Sequence, residues 1–288
     1  MPNELRQCED GAKSRRSSRG VDWQTAMKDI LWKTLKGAKL VSDKVVIITG
    51  AACGIGRACA QMFAYQGALL ALVDLDYEAL QTTCKDVENE GGQALPIRAD
   101  VTEEKDLEQI FKITDARYGR LDVLINNAGG GLSTGLFDIG LNEWRRVLDL
   151  NLTSVFLMSK YAADIFRKGG GGVIVNISSL AGRSVSPTAG CHYTSAKTAV
   201  LGLTRHMART LAPFKIRVNA VCPGVTNSER IIARLTAENS LGEVASAIPL
   251  GRIGDVYEIA SCCVFLASEL SAYMTGATLD VNGGSLMV

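Results

Sequence analysis

Several functional classes are excluded by what this chain has little of. Charge of either sign is nearly balanced, with 31 Lys and Arg against 30 Asp and Glu, a formal net charge of +1. No protein-wide field therefore draws it to nucleic acid or to an anionic membrane. No apolar run approaches the roughly 20 residues that span a bilayer, and the N-terminus lacks the apolar core of a secretion signal. The expectation is a cytoplasmic protein with no membrane span and no nucleic-acid partner. Histidine is limited to His192 and His206, which weighs against the histidine base that a serine hydrolase needs. Eight cysteines, at 8, 53, 59, 84, 191, 222, 262 and 263, show no paired C-x-x-C spacing. They read as reduced thiols, forming neither a metal site nor a disulfide framework. No internal repeat is visible.

What is present is a chain of 288 residues with 47% hydrophobic content, enough for one large α/β core. Residues 1–40 differ from the rest and form an N-terminal extension. Ser14, Arg15, Arg16, Ser17, Ser18 and Arg19 stand among residues 1–20 with almost nothing to bury, which predicts disorder. From Val21 to Lys36 an amphipathic helix is expected, with Trp23, Met27, Ile30, Leu31 and Leu35 on one stripe, docked on the same protein or an oligomer partner. A membrane-surface or transit role is the sharper alternative for this helix, and Met27 is a second candidate start.

From residue 42 to 288 short β-branched runs alternate with helix-length amphipathic stretches. The runs Val45–Ile48, Leu69–Asp74, Gln93–Arg98, Val123–Asn126, Gly172–Ser178, Arg217–Val221 and Thr278–Val281 predict strands. Helices are expected to begin near Ile55, Tyr77, Glu103, Asn142, Tyr193 and Asp255. This alternation predicts a doubly wound α/β fold, a parallel sheet covered on both faces, with ligands at the carboxyl ends of the strands.

The turn after the first strand, Thr49-Gly50-Ala51-Ala52-Cys53-Gly54-Ile55-Gly56, suits a dinucleotide. Glycines at 50, 54 and 56 let the backbone approach a diphosphate, and the free N–H groups and dipole of the following helix attract negative charge. The spacing is not G-x-G-x-x-G, so that fingerprint does not apply. Asp74 ends the second strand about 20 residues on, where an acid accepts hydrogen bonds from ribose hydroxyls and repels a 2′-phosphate. That favours NAD(H); Arg57 lies within the helix, and position 53 carries no base. An acid that merely caps a strand end is the plainer reading of Asp74.

Tyr193 and Lys197 lie four residues apart, on one face of a helix. An ammonium beside the phenol favours phenolate, so Lys197 is expected to lower the Tyr193 pKa and make it a usable acid/base. Hydride addition to a ketone builds negative charge on oxygen, which calls for a hydrogen-bond donor and a proton source there. Ser179 and Tyr193 suit those tasks, with Ser178 an alternative for the first. His192 reads as a pocket wall or helix-start residue, and Cys191 as a packing residue.

These motifs, together with Asp100-Val101, Asn126-Asn127-Ala128-Gly129, Leu150-Asn151-Leu152, Ser178-Ser179 after Val175-Asn176-Ile177, and Pro223-Gly224, make residues 42–288 resemble a short-chain dehydrogenase/reductase of the compact single-domain branch. The resemblance implies a Rossmann-like, mainly seven-stranded sheet, NAD(P)(H), and a tetrad of Ser179, Tyr193, Lys197 and Asn151. In that tetrad Ser179 would hold the substrate oxygen, Tyr193 exchange the proton, Lys197 bind the nicotinamide ribose, and Asn151 support a water chain to Lys197. The cofactor would also meet Gly50, Gly54, Ile55, Gly56, Asp74, Asp100, Val101, Asn127, Ala128, Gly129, Pro223 and Gly224, with Val225 and Ser228 at the carboxamide end. Family members commonly form homotetramers through the helices that start here near Asn142 and Tyr193. No metal is implied.

Residues 227–249 are the expected substrate lid, an amphipathic stretch bearing Ile231, Ile232, Leu235 and Leu241. Arg230 and Arg234 are candidates to meet an acidic group, or else form a solvated face. Gly129, Gly130, Gly131 and Gly135 suggest a flexible opposite wall. The expected activity is NAD(H)-dependent interconversion of a secondary alcohol and a ketone on a small to medium, largely apolar substrate. One alternative is a 3-oxoacyl thioester reductase; another, of a different class, is a dinucleotide-sensing binding protein without turnover. A turnover assay separates the last from the others.

Overall fold

The computed structural model describes residues 23–186 and 188–288, with side chains from residue 27 onward. The disorder expected for residues 1–20 and the placement of the Trp23 side chain lie outside the described residues. Seven strands, β1 (Val45–Thr49), β2 (Leu69–Asp74), β3 (Gln93–Arg98), β4 (Val123–Asn126), β5 (Gly172–Ile177), β6 (Ile216–Pro223) and β7 (Thr278–Val281), form one parallel sheet in the order β3-β2-β1-β4-β5-β6-β7. The strands are continuous apolar runs because both faces are covered. Their pleat then sorts alternate residues. Val46, Ile48, Leu70 and Leu72 pack on one side with helices α2 (Gly54–Tyr65), α3 (Tyr77–Asn89) and α10 (Val256–Ala267). Val45, Ile47, Ala71 and Val73 face the other side, with α4 (Glu104–Tyr118), α6 (Ser154–Gly169) and α7 (Cys191–Leu211). Each fully buried branched side chain of this kind contributes roughly 1.5–3 kcal/mol.

Strand order reverses between β1 and β4. Helices leave the sheet in opposite senses there, which opens a crevice at the carboxyl ends of those strands, next to Thr49 and Asn126. The expected site residues gather around this crevice.

Two elements differ from the sequence expectation. The helix expected from Asn142 is α5 (Leu141–Leu148) joined to α6 through one turn of π-helix at Asp149–Thr153, an inserted residue that no hydrophobic period reveals. The N-terminal helix α1 (Trp23–Thr34) docks on the chain itself through part of the predicted stripe, Leu31 and Leu35, together with Trp32 from outside it. Ile30 is 55% exposed, whereas Trp32, outside that stripe, stacks on Tyr65 at 4.7 Å and meets Tyr257 edge-on. Leu31 and Leu35 pack beside it, and the Tyr65 hydroxyl donates to the Trp32 carbonyl at 2.6 Å. Residues 227–249, expected as the substrate lid, carry α8 (Glu229–Ala237) and α9 (Leu241–Ala247).

Candidate active site

The Gly-rich turn is shaped by clashes that only glycine avoids. Gly50 and Gly54 adopt φ of +65° and +55°. A Cβ on Gly50 would lie 2.8 Å from Ala128 Cα, and one on Gly56 1.9 Å from the Gly50 carbonyl oxygen. Side groups from β1 and from the loop after β4 brace the same turn. Asn127 donates its amide to the carbonyls of Thr49 and Gly50 at 3.0 and 2.9 Å, and the backbone N–H groups of Asn127 and Ala128 donate to the Thr49 hydroxyl, both at 3.0 Å. Asp74 closes the far side. Its carboxylate accepts the N–H groups of Ala52 and Asp76, each at 3.0 Å, and so stands at the mouth of the turn. Ile55 is the first α2 residue beyond Gly54 and is half-buried. Asp100 folds back on Thr102 after β3, beside buried Val101. Pro223 ends β6; Gly224 donates to Val281 at 2.9 Å and passes so close to Asn282 that a Cβ would come within 2.8 Å of its Cα. Val225 follows, its carbonyl accepting from Gly254.

The candidate reacting groups converge from three elements. The π-turn swings Asn151 fully inward, where its amide donates to the Val147 and Gly130 carbonyls at 2.9 Å and its oxygen accepts the Gly130 N–H at 3.0 Å. From α7, the Lys197 ammonium donates to the Ile177 carbonyl at 2.9 Å and lies 5.8 Å from the centre of the Tyr193 ring. The two serines after β5 part ways: Ser178 is buried and donates to the Lys197 carbonyl at 2.8 Å, whereas the Ser179 hydroxyl accepts the Ala181 N–H at 3.1 Å and lies near enough to the Tyr193 phenol to favour its ionised form. Glycines 129–131 are contact points and not a flexible wall. A Cβ on Gly129 would lie 2.7 Å from Asn151 Oδ1 and 3.2 Å from Lys197 Nζ, and one on Gly131 2.8 Å from Ala189 Cβ and 3.0 Å from Tyr193 Cγ.

Protonation departs from the sequence expectation. Burial pushes the Tyr193 phenol above its ordinary value, only partly offset by the nearby Ser179 hydroxyl and the charge of Arg230. Lys197 does not lower it here, because its ammonium is turned to Ile177 and is itself buried, which pulls its pKa down to about 8. Two comparisons bear on what such a cluster belongs to. A family model described as enoyl-(acyl carrier protein) reductase matches residues 50–285, and an uncharacterized oxidoreductase of Thermotoga maritima is 43% identical over 85% of this chain and 98% of its own.

The chain belongs to the short-chain dehydrogenase/reductase family.

Its members are oxidoreductases built on a Rossmann-like fold that uses NAD(P). Among other relatives, the 3alpha-hydroxysteroid dehydrogenase of Mediterraneibacter gnavus is 37% identical over 85% of this chain and 98% of its own. A crystal structure of a 3-oxoacyl acyl-carrier-protein reductase with bound NAD from Brucella melitensis superposes with a TM-score of 0.79 at 35% identity, covering 87% of this chain and 94% of that one.

This short-chain dehydrogenase/reductase also has contacts that the sequence reading missed. Ser228 and Glu229, at the start of α8, reach across to the Gly-rich turn: the Gly54 N–H donates to the Glu229 carboxylate at 2.9 Å, and Ser228 Cβ lies 3.2 Å from where a Gly54 Cβ would be. Asn227 ties the same segment to the start of α10 through Asp255 and the Val256 N–H. His192 Nδ1 accepts the Tyr193 N–H, and its Nε2 lies 2.9 Å from Glu143 of α5, which assigns the neutral Nε2–H form. Thr134 and His192 together hold the Glu143 carboxyl below its ordinary range. Arg234 pairs with Glu238 at 3.9 Å and belongs to the outer face of α8. Among the described residues no group of His, Cys, Asp and Glu side chains is arranged to hold a metal ion, and no helix is long and apolar enough to cross a membrane.

Proposed function

We propose that the protein is an NAD(H)-dependent oxidoreductase that interconverts a secondary alcohol and a ketone on a small to medium, largely apolar substrate. The observation that carries this reading is the convergence of Tyr193, Lys197 and Asn151 on the glycine floor at Gly129 and Gly131, next to the Gly-rich turn, with the Ser179 hydroxyl near the phenol. The turn suits a dinucleotide because glycine alone leaves room there, and because the Gly54 N–H already takes a carboxylate oxygen where a diphosphate oxygen would bind. When bound, the cofactor supplies or accepts the hydride. Gly50, Gly54, Ile55 and Gly56 would hold the diphosphate, Asp74 the adenosine ribose, Asp100 and Val101 the adenine, and Asn127 to Gly129, Pro223 to Val225 and Ser228 the nicotinamide half. Ser179 would orient the substrate oxygen, and the Tyr193 phenol would give it a proton during reduction and take that proton back during oxidation. Lys197 would hold the nicotinamide ribose, and Asn151 would keep the floor and Lys197 in register.

A panel of ketones and alcohols followed by NADH absorbance tests the reaction, and repeating it with NADPH tests the cofactor. Asp74 should make NAD(H) the better partner, and Asp74→Ser should relax that preference by removing repulsion of a 2′-phosphate worth on the order of 1–3 kcal/mol. Equal or better wild-type efficiency with NADPH would reject the assignment of Asp74. Reduction of a 3-oxoacyl thioester is the second reading, favoured by the likeness to the 3-oxoacyl acyl-carrier-protein reductase of Brucella melitensis. Turnover of a thioester far above that of simple ketones would select it.

A further inference from the structure

Arg230 differs from the other arginines near the crevice. Arg183 pairs with Asp280 at 3.0 Å, Arg234 with Glu238 at 3.9 Å and Arg252 with Glu258 at 2.7 Å. Arg230 has no ion pair among the described residues, although Glu229 is its chain neighbour and is engaged by Gly54. Arg230 is exposed overall, and its guanidinium lies against the glycine floor. Where a Cβ on Gly130 would stand, Arg230 Nη1 is 2.8 Å away. The glycines on either side touch Asn151 and Lys197 in one direction and Tyr193 in the other. The guanidinium is therefore set above the reacting groups, and its charge favours the phenolate of Tyr193 and disfavours the ammonium of Lys197.

A cation in that place gains most from a planar, bidentate anion, and the chain does not supply one. The loop after β4 beside it supplies apolar surface: Gly190 donates to the Leu132 carbonyl at 2.8 Å, which joins this loop to the one before α7, and Leu132 is 46% exposed.

We propose that Arg230 is the receptor for a carboxylate of the substrate, so that the preferred substrate is an oxo or hydroxy acid whose reacting carbon is carried on an apolar body. This deepens the proposed reaction and rests on it. The cofactor's diphosphate offers the same paired anionic oxygens, so the test has to separate the two sources.

The full-length protein is assayed on matched pairs of oxo acids of about four to ten carbons and their methyl esters, with NADH, as wild type, Arg230→Met and Arg230→Lys. NADH dissociation constants are measured for all three by tryptophan quenching. Wild type is expected to favour acid over ester in kcat/KM by about tenfold or more, the effect of one charge-assisted pair. Arg230→Met should bring that ratio to about one, and Arg230→Lys should keep part of it; the ratio cancels any general loss of activity. In the presence of NADH the oxo acid should raise the melting temperature of wild type and not of Arg230→Met. An acid-to-ester ratio that Arg230→Met leaves unchanged overturns the proposal. So does a weakening of NADH binding that accounts for the whole effect, which would assign Arg230 to the diphosphate. Ester turnover without acid preference in wild type rejects the role of Arg230 alone, whereas absence of turnover for every pair also rejects the reaction on which it rests.

Discussion

At the residue scale, the proposed chemistry rests on one phenol. Tyr193→Phe keeps the ring and its packing but removes the group proposed to exchange the proton, so kcat should fall by at least about 10² to 10⁴ while NADH still binds. Substantial residual turnover would mean that another residue is the acid. The partners of this phenol were legible because Tyr193 and Lys197 share a helix face and Ser179 follows a readable strand. Their protonation was not, since sequence spacing shows charge proximity but not burial, and burial dominates both groups. Burial of Lys197 has its own measurable consequence. Folding pulls its pKa from 10.5 to about 8, so the unfolded chain holds that proton more tightly. The cost to the fold is complete below about pH 8 and fades as pH rises toward 10.5, a span worth about 3 kcal/mol. Lys197→Met has no such cost, and the carbonyl contact that it loses at Ile177 does not titrate. In thermal melts without cofactor, the stability of Lys197→Met relative to wild type should therefore decline steadily from pH 8 to pH 10. A difference independent of pH would show that the ammonium is not desolvated in the folded protein.

At the scale of elements, the start of α8 is the part that folding adds to the sequence. Glu229 meets Gly54 across 175 residues of chain, with no period or motif linking them. The strands were readable for the opposite reason: parallel strands buried on both faces are written locally as apolar runs. The π-turn that turns Asn151 inward and the Trp32–Tyr65 stack that seats α1 also escaped, because each depends on a single inserted or out-of-stripe residue. The Glu229 contact predicts competition. If a diphosphate oxygen binds at the Gly54 N–H as proposed, the Glu229 carboxylate occupies its place and repels it, so cofactor binding should lift the first turn of α8. Glu229→Gln keeps the side-chain shape and removes the charge, and NADH should bind several-fold more tightly by calorimetry. Unchanged or weaker binding would mean that the contact does not oppose the cofactor.

For the whole molecule, the face formed by α5, α6 and the loop before them leaves apolar side chains uncovered: Leu136, Phe137, Leu141 and Phe156 are 69%, 99%, 61% and 46% exposed. A cluster of this kind on a protein of nearly zero net charge favours self-association, and we propose a homotetramer assembled through this face and α7. Light scattering should give a mass of about four times the 30.8 kDa chain, and Phe156→Asp should lower it. The consequence reaches the site through named contacts. α5 carries Glu143, which holds His192, which in turn accepts the Tyr193 N–H; the π-turn between α5 and α6 carries Asn151, which clamps Gly130. Splitting the assembly at this face should therefore reduce kcat more than it weakens NADH binding, since the Gly-rich turn is braced from β1, β2 and the loop after β4. A dissociated Phe156→Asp protein with full kcat would show that the active site is complete within one chain, and a monomeric wild type would reject the assembly.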